Sequence, residues 1–164
     1  MPENVQPEKC VYEYAAKVVC GTIPEEPVTP PMPPCGPGYY TTATNIHNPS
    51  RELAPLWVKF AHAPQAVDYA NPHIGGQVSS WFKYELKPDQ AMELDCDFLL
   101  FVAKASGMSL GNFAKGFVVI QSQGRLDVVS VYTAGPLLKG PTANKLMGYV
   151  ATMHTERVPE HKIA

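Results

Sequence analysis

Hydrophobic and polar residues alternate along much of this chain, and the alternation predicts extended strands. Residues 11–20, VYEYAAKVVC, set Tyr12, Tyr14, Ala16 and Val18 against Glu13, Ala15, Lys17 and Val19. Successive side chains on a strand point to opposite faces, so this stretch reads as a strand with one wetter face, ended by Gly21. Residues 39–48, YYTTATNIHN, are β-branched and aromatic, which favours a strand, and Asn48-Pro49-Ser50 follows as a turn. Residues 55–63, PLWVKFAHA, alternate again, and residues 64–76, with two prolines and two glycines, read as a long loop. In residues 77–87, QVSSWFKYELK, one face carries Val78, Ser80, Phe82, Tyr84 and Leu86, and the other carries Ser79, Trp81, Lys83 and Glu85.

Pro88-Asp89 breaks that strand. AMELDCDFLLFVAKAS then predicts a short strand at 91–95 and a helix of one to two turns over Cys96 to Lys104, capped by the Asp95 side chain. A buried strand over Leu99 to Ala103 is the alternative. GFVVIQSQGRLDVVSVYTAG, residues 116–135, reads as two apolar strands folded back on each other around Gln123-Gly124. Phe117 to Ile120 is uninterrupted apolar, as in a strand buried on both faces. A last strand covers Leu146 to Glu156. The count is seven or eight short strands and one short helix, with no repeat at a fixed period. That pattern predicts an all-β fold, an antiparallel β-sandwich or jelly roll. Residues 1–10 read as a loose arm, 11–158 as one domain, and 159–164 as a polar tail.

Composition changes this picture at one place. There are 17 prolines in 164 residues, about twice the usual ~5%. Seven of the fifteen residues from Pro24 to Gly38 are proline. Such a segment supplies few ladder donors, so 22–38 is expected to be an extended loop or an arm reaching a neighbour. Its central run, Pro30, Pro31, Met32, Pro33 and Pro34, loses little chain entropy on docking and is a candidate contact. The net charge is −2 and no basic block exists, so no nucleic-acid partner is expected. No run of 18 apolar residues predicts a spanning helix. The amino terminus, MPENVQPEKC, lacks the charged-then-apolar plan of a signal peptide. That favours the cytoplasm, with removal of a leader as the alternative.

The candidate chemistry is sparse. If strands 55–63 and 77–87 pair, Trp57 and Lys59 lie on the same outer side as Trp81 and Lys83. Covering one exposed indole contributes roughly 1.5–3 kcal/mol, so this face is a candidate subunit interface or a platform for a sugar ring. The alternative is a loop or the helix covering both rings within the monomer. His47, Asp95 and Asp97 are the candidates for a metal, without HxH or HExxH spacing to support them. The serines lack a GxSxG frame, and Gly107 and Gly111 lack the GK[ST] ending of a phosphate loop. Of the four cysteines, Cys20 and Cys35 bracket the proline-rich segment, and a disulfide between them would staple it. The favoured expectation is four reduced thiols, as a cytoplasmic site would keep them. Asp95 and Asp97 flank Cys96, and negative neighbours work against a nucleophilic thiolate.

YEYAAKVVCG, PGYYTTATNIHNP, ELDCDF and GFVVIQSQGRLDVVSVYTA together resemble a group of small bacterial proteins of uncharacterised function, over most of residues 12–134. The strands at 116–134 are also distantly similar to the sensory rhodopsin transducer type, small β-sandwiches that assemble as homo-oligomers. The longer proline-rich arm and the cysteines depart from that type, so neither its oligomer nor its partner carries over.

The sequence thus predicts a non-enzymatic, self-assembling sandwich with a structural or interaction role, a homo-oligomer needing no cofactor. A carbohydrate or small-ligand binding module using the tryptophans is the first alternative. A metal-dependent jelly-roll enzyme is the second.

Overall fold

The structure, a computed structural model, describes residues 6–24, 35–64, 75–136 and 152–163. In chain order the elements are β1 (Tyr12–Ile23), β2 (Gly38–His47), β3 (Ala54–His62), β4 (Phe82–Leu86), β5 (Ala91–Leu94), α1 (Cys96–Ala105), β6 (Phe113–Ser122), β7 (Asp127–Gly135), β8 (Thr152–Arg157) and β9 (Glu160–Lys162). The fold is all-β and sandwich-like, with a single helix among the described residues. The helix begins where expected. Asp95 has extended backbone and its carboxylate accepts from the Phe98 amide at 2.9 Å, satisfying one of the donors a first turn leaves open.

Hydrogen bonding follows the order β4-β3-β6-β1-β2-β7-β8, with β5 added to β2 and β9 to β1. The path turns from one layer to the other along β1. Residues 12–21 of β1 pair with β6, whereas only Gly21, Thr22 and Ile23 pair with β2. Gly21 has φ of 110° at this corner, a conformation that costs glycine nothing and other residues a great deal. A Cβ there would collide with the Asn112 carbonyl, which accepts from the Thr22 amide at 2.8 Å. Glycine therefore lets the strand bend and continue, rather than ending it as expected.

Between the layers lies the core. Tyr14, Ala16, Val18 and Cys20 of β1 point inward, with Leu56, Val58 and Phe60 of β3 and Val118 and Ile120 of β6. Each fully buried large aliphatic or aromatic side chain contributes roughly 1.5–3 kcal/mol. The facing layer supplies Ile46 and Val128. It also supplies buried hydroxyls that meet partners, Thr44 Oγ1 with Ser130 Oγ at 2.9 Å and Thr42 Oγ1 with the Val19 carbonyl at 3.0 Å. Helix α1 packs on β1, β2, β3 and β5, so it touches both layers, burying Leu99, Val102 and Ala103. Asn48 is fully buried. Its amide donates to the Glu52, Leu86 and Lys87 carbonyls at 2.8–3.1 Å, tying the β2–β3 turn to the end of β4.

Several expectations need correction. The strands at 116–135 do not form a hairpin. β6 pairs with β1 and β3, β7 pairs with β2 and β8, and residues 123–126 carry the chain between layers. Ser122 Oγ donates to the Gly124 carbonyl at 2.6 Å and closes the turn locally. The Leu126 amide donates to the Tyr14 hydroxyl at 2.8 Å, a bond between the two layers. Nor is β6 buried on both faces, since Phe117 is 40% exposed while Val118 and Ile120 are fully buried.

The strand expected over 77–87 is regular only from Phe82. Val58 stands opposite Phe82 and Ala61 opposite Val78. Three steps along β3 thus match four along the partner, a β-bulge with one extra residue. At the bulge the Phe60 amide donates to Ser79 Oγ at 2.8 Å. The extra residue reverses the alternation, so Val78 faces outward at 55% exposure. Residues 160–162, expected in a polar tail, form β9 on the edge of β1, anchored by an Arg125–Glu160 ion pair. Of the last strand expected at 146–156, residues 152–156 lie in β8 and the rest fall outside the described residues.

The cysteines differ most. Cys20 is bonded to Cys96, with Cα atoms 5.6 Å apart, while Cys10 and Cys35 are free. Neither four reduced thiols nor a Cys20–Cys35 staple is present. The bridge ties β1 to the first turn of α1 across 76 positions.

Three outcomes test this architecture. Replacing Cys20 and Cys96 together by serine should lower unfolding free energy by about 2–4 kcal/mol in urea titration, because a loop this long loses much entropy when closed. Thiol titration of the unfolded, unreduced protein should count two groups per chain. Tyr14→Phe should cost about 1–2 kcal/mol by the same titration, since it leaves the buried Leu126 N–H unpaired.

Candidate functional site

The expected tryptophan platform lies on the outer face of the β4-β3-β6-β1 layer, as its alternation implies. Trp57 stands opposite Lys83 on β4 and Gln121 on β6. The rings are nonetheless covered, Trp57 being 3% and Trp81 8% exposed. Lys59 Nζ lies 4.3 Å from the Trp81 ring and Lys83 Nζ 5.6 Å from the Trp57 ring. Long lysine stems lie across apolar surface and keep the charge in water, and each ammonium gains a cation–π contact. Open indoles for a sugar or a neighbouring subunit are therefore not what this face presents. Pro30, Pro31, Met32, Pro33 and Pro34 lie outside the described residues.

His47, Asp95 and Asp97 are not brought together as a metal site. His47 ends β2, and its ring is held by Asp89 at 3.0 Å and Asp127 at 3.4 Å. These hydrogen bonds, the Asp89 bond first, raise the His47 pKa above its ordinary value of 6.5. Asp95 is occupied as the helix cap. Among the described residues, no three of His, Cys, Asp and Glu form a group that could hold a metal ion. The serines serve structure: Ser79 Oγ donates to the Ser80 carbonyl at 2.9 Å, and Ser106 Oγ accepts from the Ser80 amide at 3.0 Å.

Two features emerge that the sequence did not single out. The first is a cleft of about 210 Å³ at the β1 corner, lined by Cys20, Gly21, Tyr39, Cys96, Asp97, Leu99, Leu100, Leu110, Gly111, Asn112 and Ala114. Its walls come from β1, β2, α1, β6 and the loop before β6. That loop turns at Gly107 and Gly111, with φ of 71° and 67°. A second hollow of about 220 Å³ adjoins it at Asn112 and is lined by His62 and Lys115 among others. Burial first, and then the Lys115 charge, lower the His62 pKa.

The second feature is β8. It ends the hydrogen-bonded path, and all six of its residues are exposed. Met153 is 69% exposed. The His154 ring stacks on Tyr132 at 6.1 Å between centroids, and Glu156 accepts from the Tyr132 hydroxyl at 3.1 Å. That bond and burial, burial being the larger cause, push the Tyr132 pKa up to about 12. Met153, Thr155 and Arg157 alternate with these residues onto the other face. Among the described residues, the outer edge of β8 has no strand beside it.

No protein-family model matches this chain, and no curated protein matches it. Among solved structures, the chain is similar to the crystal structure of Thermotoga maritima 1070. The two share 14% sequence identity, with a TM-score of 0.45, over 88% of this chain and 93% of that one.

The His47 cluster generates a pH prediction. A group whose folded pKa is raised stabilises the fold fully below its unfolded value, and that contribution fades as pH rises through the folded value. Urea midpoints of the native protein should therefore fall relative to His47→Gln as pH climbs above about 6.5. Parallel midpoints for the two proteins from pH 5 to 9 would contradict the assignment.

Proposed function

We propose that this sandwich is a non-catalytic assembly module whose β8 edge pairs with β8 of a second copy. The observation that carries this reading is the exposure of β8 at all six residues, on both faces. A strand at a sheet edge presents unpaired N–H and C=O groups, and another strand of the same kind satisfies them. β8, TMHTER, contains no proline, so none of the alternate residues whose N–H groups point away from β7 lacks a donor for its open edge.

The side chains favour an antiparallel copy related by a two-fold axis through Thr155. In that register His154 stands opposite Glu156 and Met153 opposite Arg157, each pair occurring twice. Cross-strand side-chain pairs of this kind stabilise a strand pair by roughly 0.2–1 kcal/mol, and like charges directly opposite, which this register avoids, destabilise it. The two β2-β7-β8 layers would then run into one continuous sheet. The Cys20–Cys96 bond supports an oxidising compartment in place of the cytoplasm expected from the sequence. In the described residues no helix is long and apolar enough to cross a membrane.

Light scattering tests the reading. The native protein should have about twice the 17.9 kDa of one chain. Thr155→Lys, which sets two ammonium groups opposite each other at the axis, should return it to single-chain mass without changing the circular dichroism spectrum. A native protein of single-chain mass at high concentration would refute self-assembly. A dimer indifferent to Thr155→Lys but lost on deleting residues 24–34 would move the contact to the proline-rich arm.

A further inference from the structure

We infer that the cleft beside the Cys20–Cys96 bond binds a small organic ammonium compound, with its apolar body against the leucines and its cation toward Asp97. The inference rests on the shape and chemistry of the lining, independently of how copies of the chain assemble.

Most of the lining is apolar. Leu99 is 2% exposed, Leu110 9% and Ala114 6%, so the inner wall is packed and formed before any ligand arrives. Leu100 is 52% exposed and lies at the mouth. The volume of about 210 Å³ corresponds to roughly seven waters at ~30 Å³ each, room for a ligand of about ten heavy atoms. Displacing those waters with hydrocarbon is favourable against such walls. The disulfide ties together two sides of the cleft, β1 through Cys20 and α1 through Cys96. A site held open by a covalent bond loses little entropy when it is filled.

The charge of the ligand follows from the lining. Asp97 is the one charged residue among the described residues that line the cleft. The positive end of α1 lies beside it and would favour an anion on its own, with an effective charge of about half a unit. That end already faces two carboxylates, Asp95 as cap and Asp97 in the first turn. The sum is negative, so an anion is repelled and a cation is held. Tyr39, 38% exposed, places an aromatic ring in the lining, a further attraction for an ammonium group. Asn112 adds an amide. The adjoining hollow, with His62 and Lys115, lacks a carboxylate in its lining.

The experiment is a titration of the full-length, oxidised protein with 2-phenylethylammonium, followed by methyl NMR and calorimetry. Shifts should appear at Leu100, Leu110 and Ala114, with a Kd on the order of 1 mM or tighter. The near-isosteric anion 3-phenylpropionate should not bind. Asp97→Asn should weaken the amine about tenfold, the usual effect of losing one charge-assisted contact. Leu100→Lys, at an exposed position where folding is not at stake, should abolish binding by placing a second ammonium at the mouth. The inference is overturned if the amine produces no shifts at these methyls or the carboxylate binds equally well. Amine affinity that is indifferent to both substitutions overturns it too.

Discussion

The structure depends on one strand serving two layers. β1 fills ten positions beside β6 and then, through Gly21, three beside β2. Only a residue without a side chain can pass that corner, because the Asn112 carbonyl occupies the space a Cβ would need. Cys20 sits immediately before the bend, and its bond to Cys96 holds the helix against it. The cleft is thus a product of the corner, since Cys20 and Gly21 contribute to its lining and the helix closes its side.

The polar groups threaded through the core set how the layers meet. Tyr14 reaches Leu126 and Thr42 reaches Val19 from one layer to the other, while Thr44 meets Ser130 across the β2–β7 pair and fixes its register. A single hydrogen bond of this kind contributes only about 1 kcal/mol net, less than one buried leucine. Leaving one unmade costs about 1–3 kcal/mol. Their main effect is to penalise every other register, because a one-residue slip would turn Thr42 and Thr44 toward water and bring Ala43 and Asn45 inside. Hydrophobic burial drives collapse, and these hydroxyls choose among the collapsed arrangements.

The fold class was legible because alternation reports faces directly. Tyr14, Ala16 and Val18 are inward as their spacing implies, and Asp95 announces its helix by a local hydrogen bond. Alternation says nothing of neighbours, however. β6 and β7 read as a hairpin because Gln123-Gly124 reverses the chain equally well within a layer or between layers. The bulge at Ser79 was hidden because QVSSWFKYELK alternates perfectly, and the extra residue is visible only in the register against β3. Alternation gives the tryptophans their face but not their exposure, since which lysine lies over which ring is settled across strands. The pairing of Cys20 with Cys96 and the cleft both join segments distant in sequence, which no local pattern encodes.

β9 joins the earliest strand to the last described residues, Tyr12 opposite Lys162 and Tyr14 opposite Glu160. During translation, the edge of β1 emerges from the ribosome long before the segment that covers it has been made. Nearly every partner of β1, including β6 and Cys96, also lies far downstream, so the strand stays without these mates until residue 122 has been made. The sandwich therefore closes only after β9 has been made, and until then the edge of β1 is open to pairing with other strands.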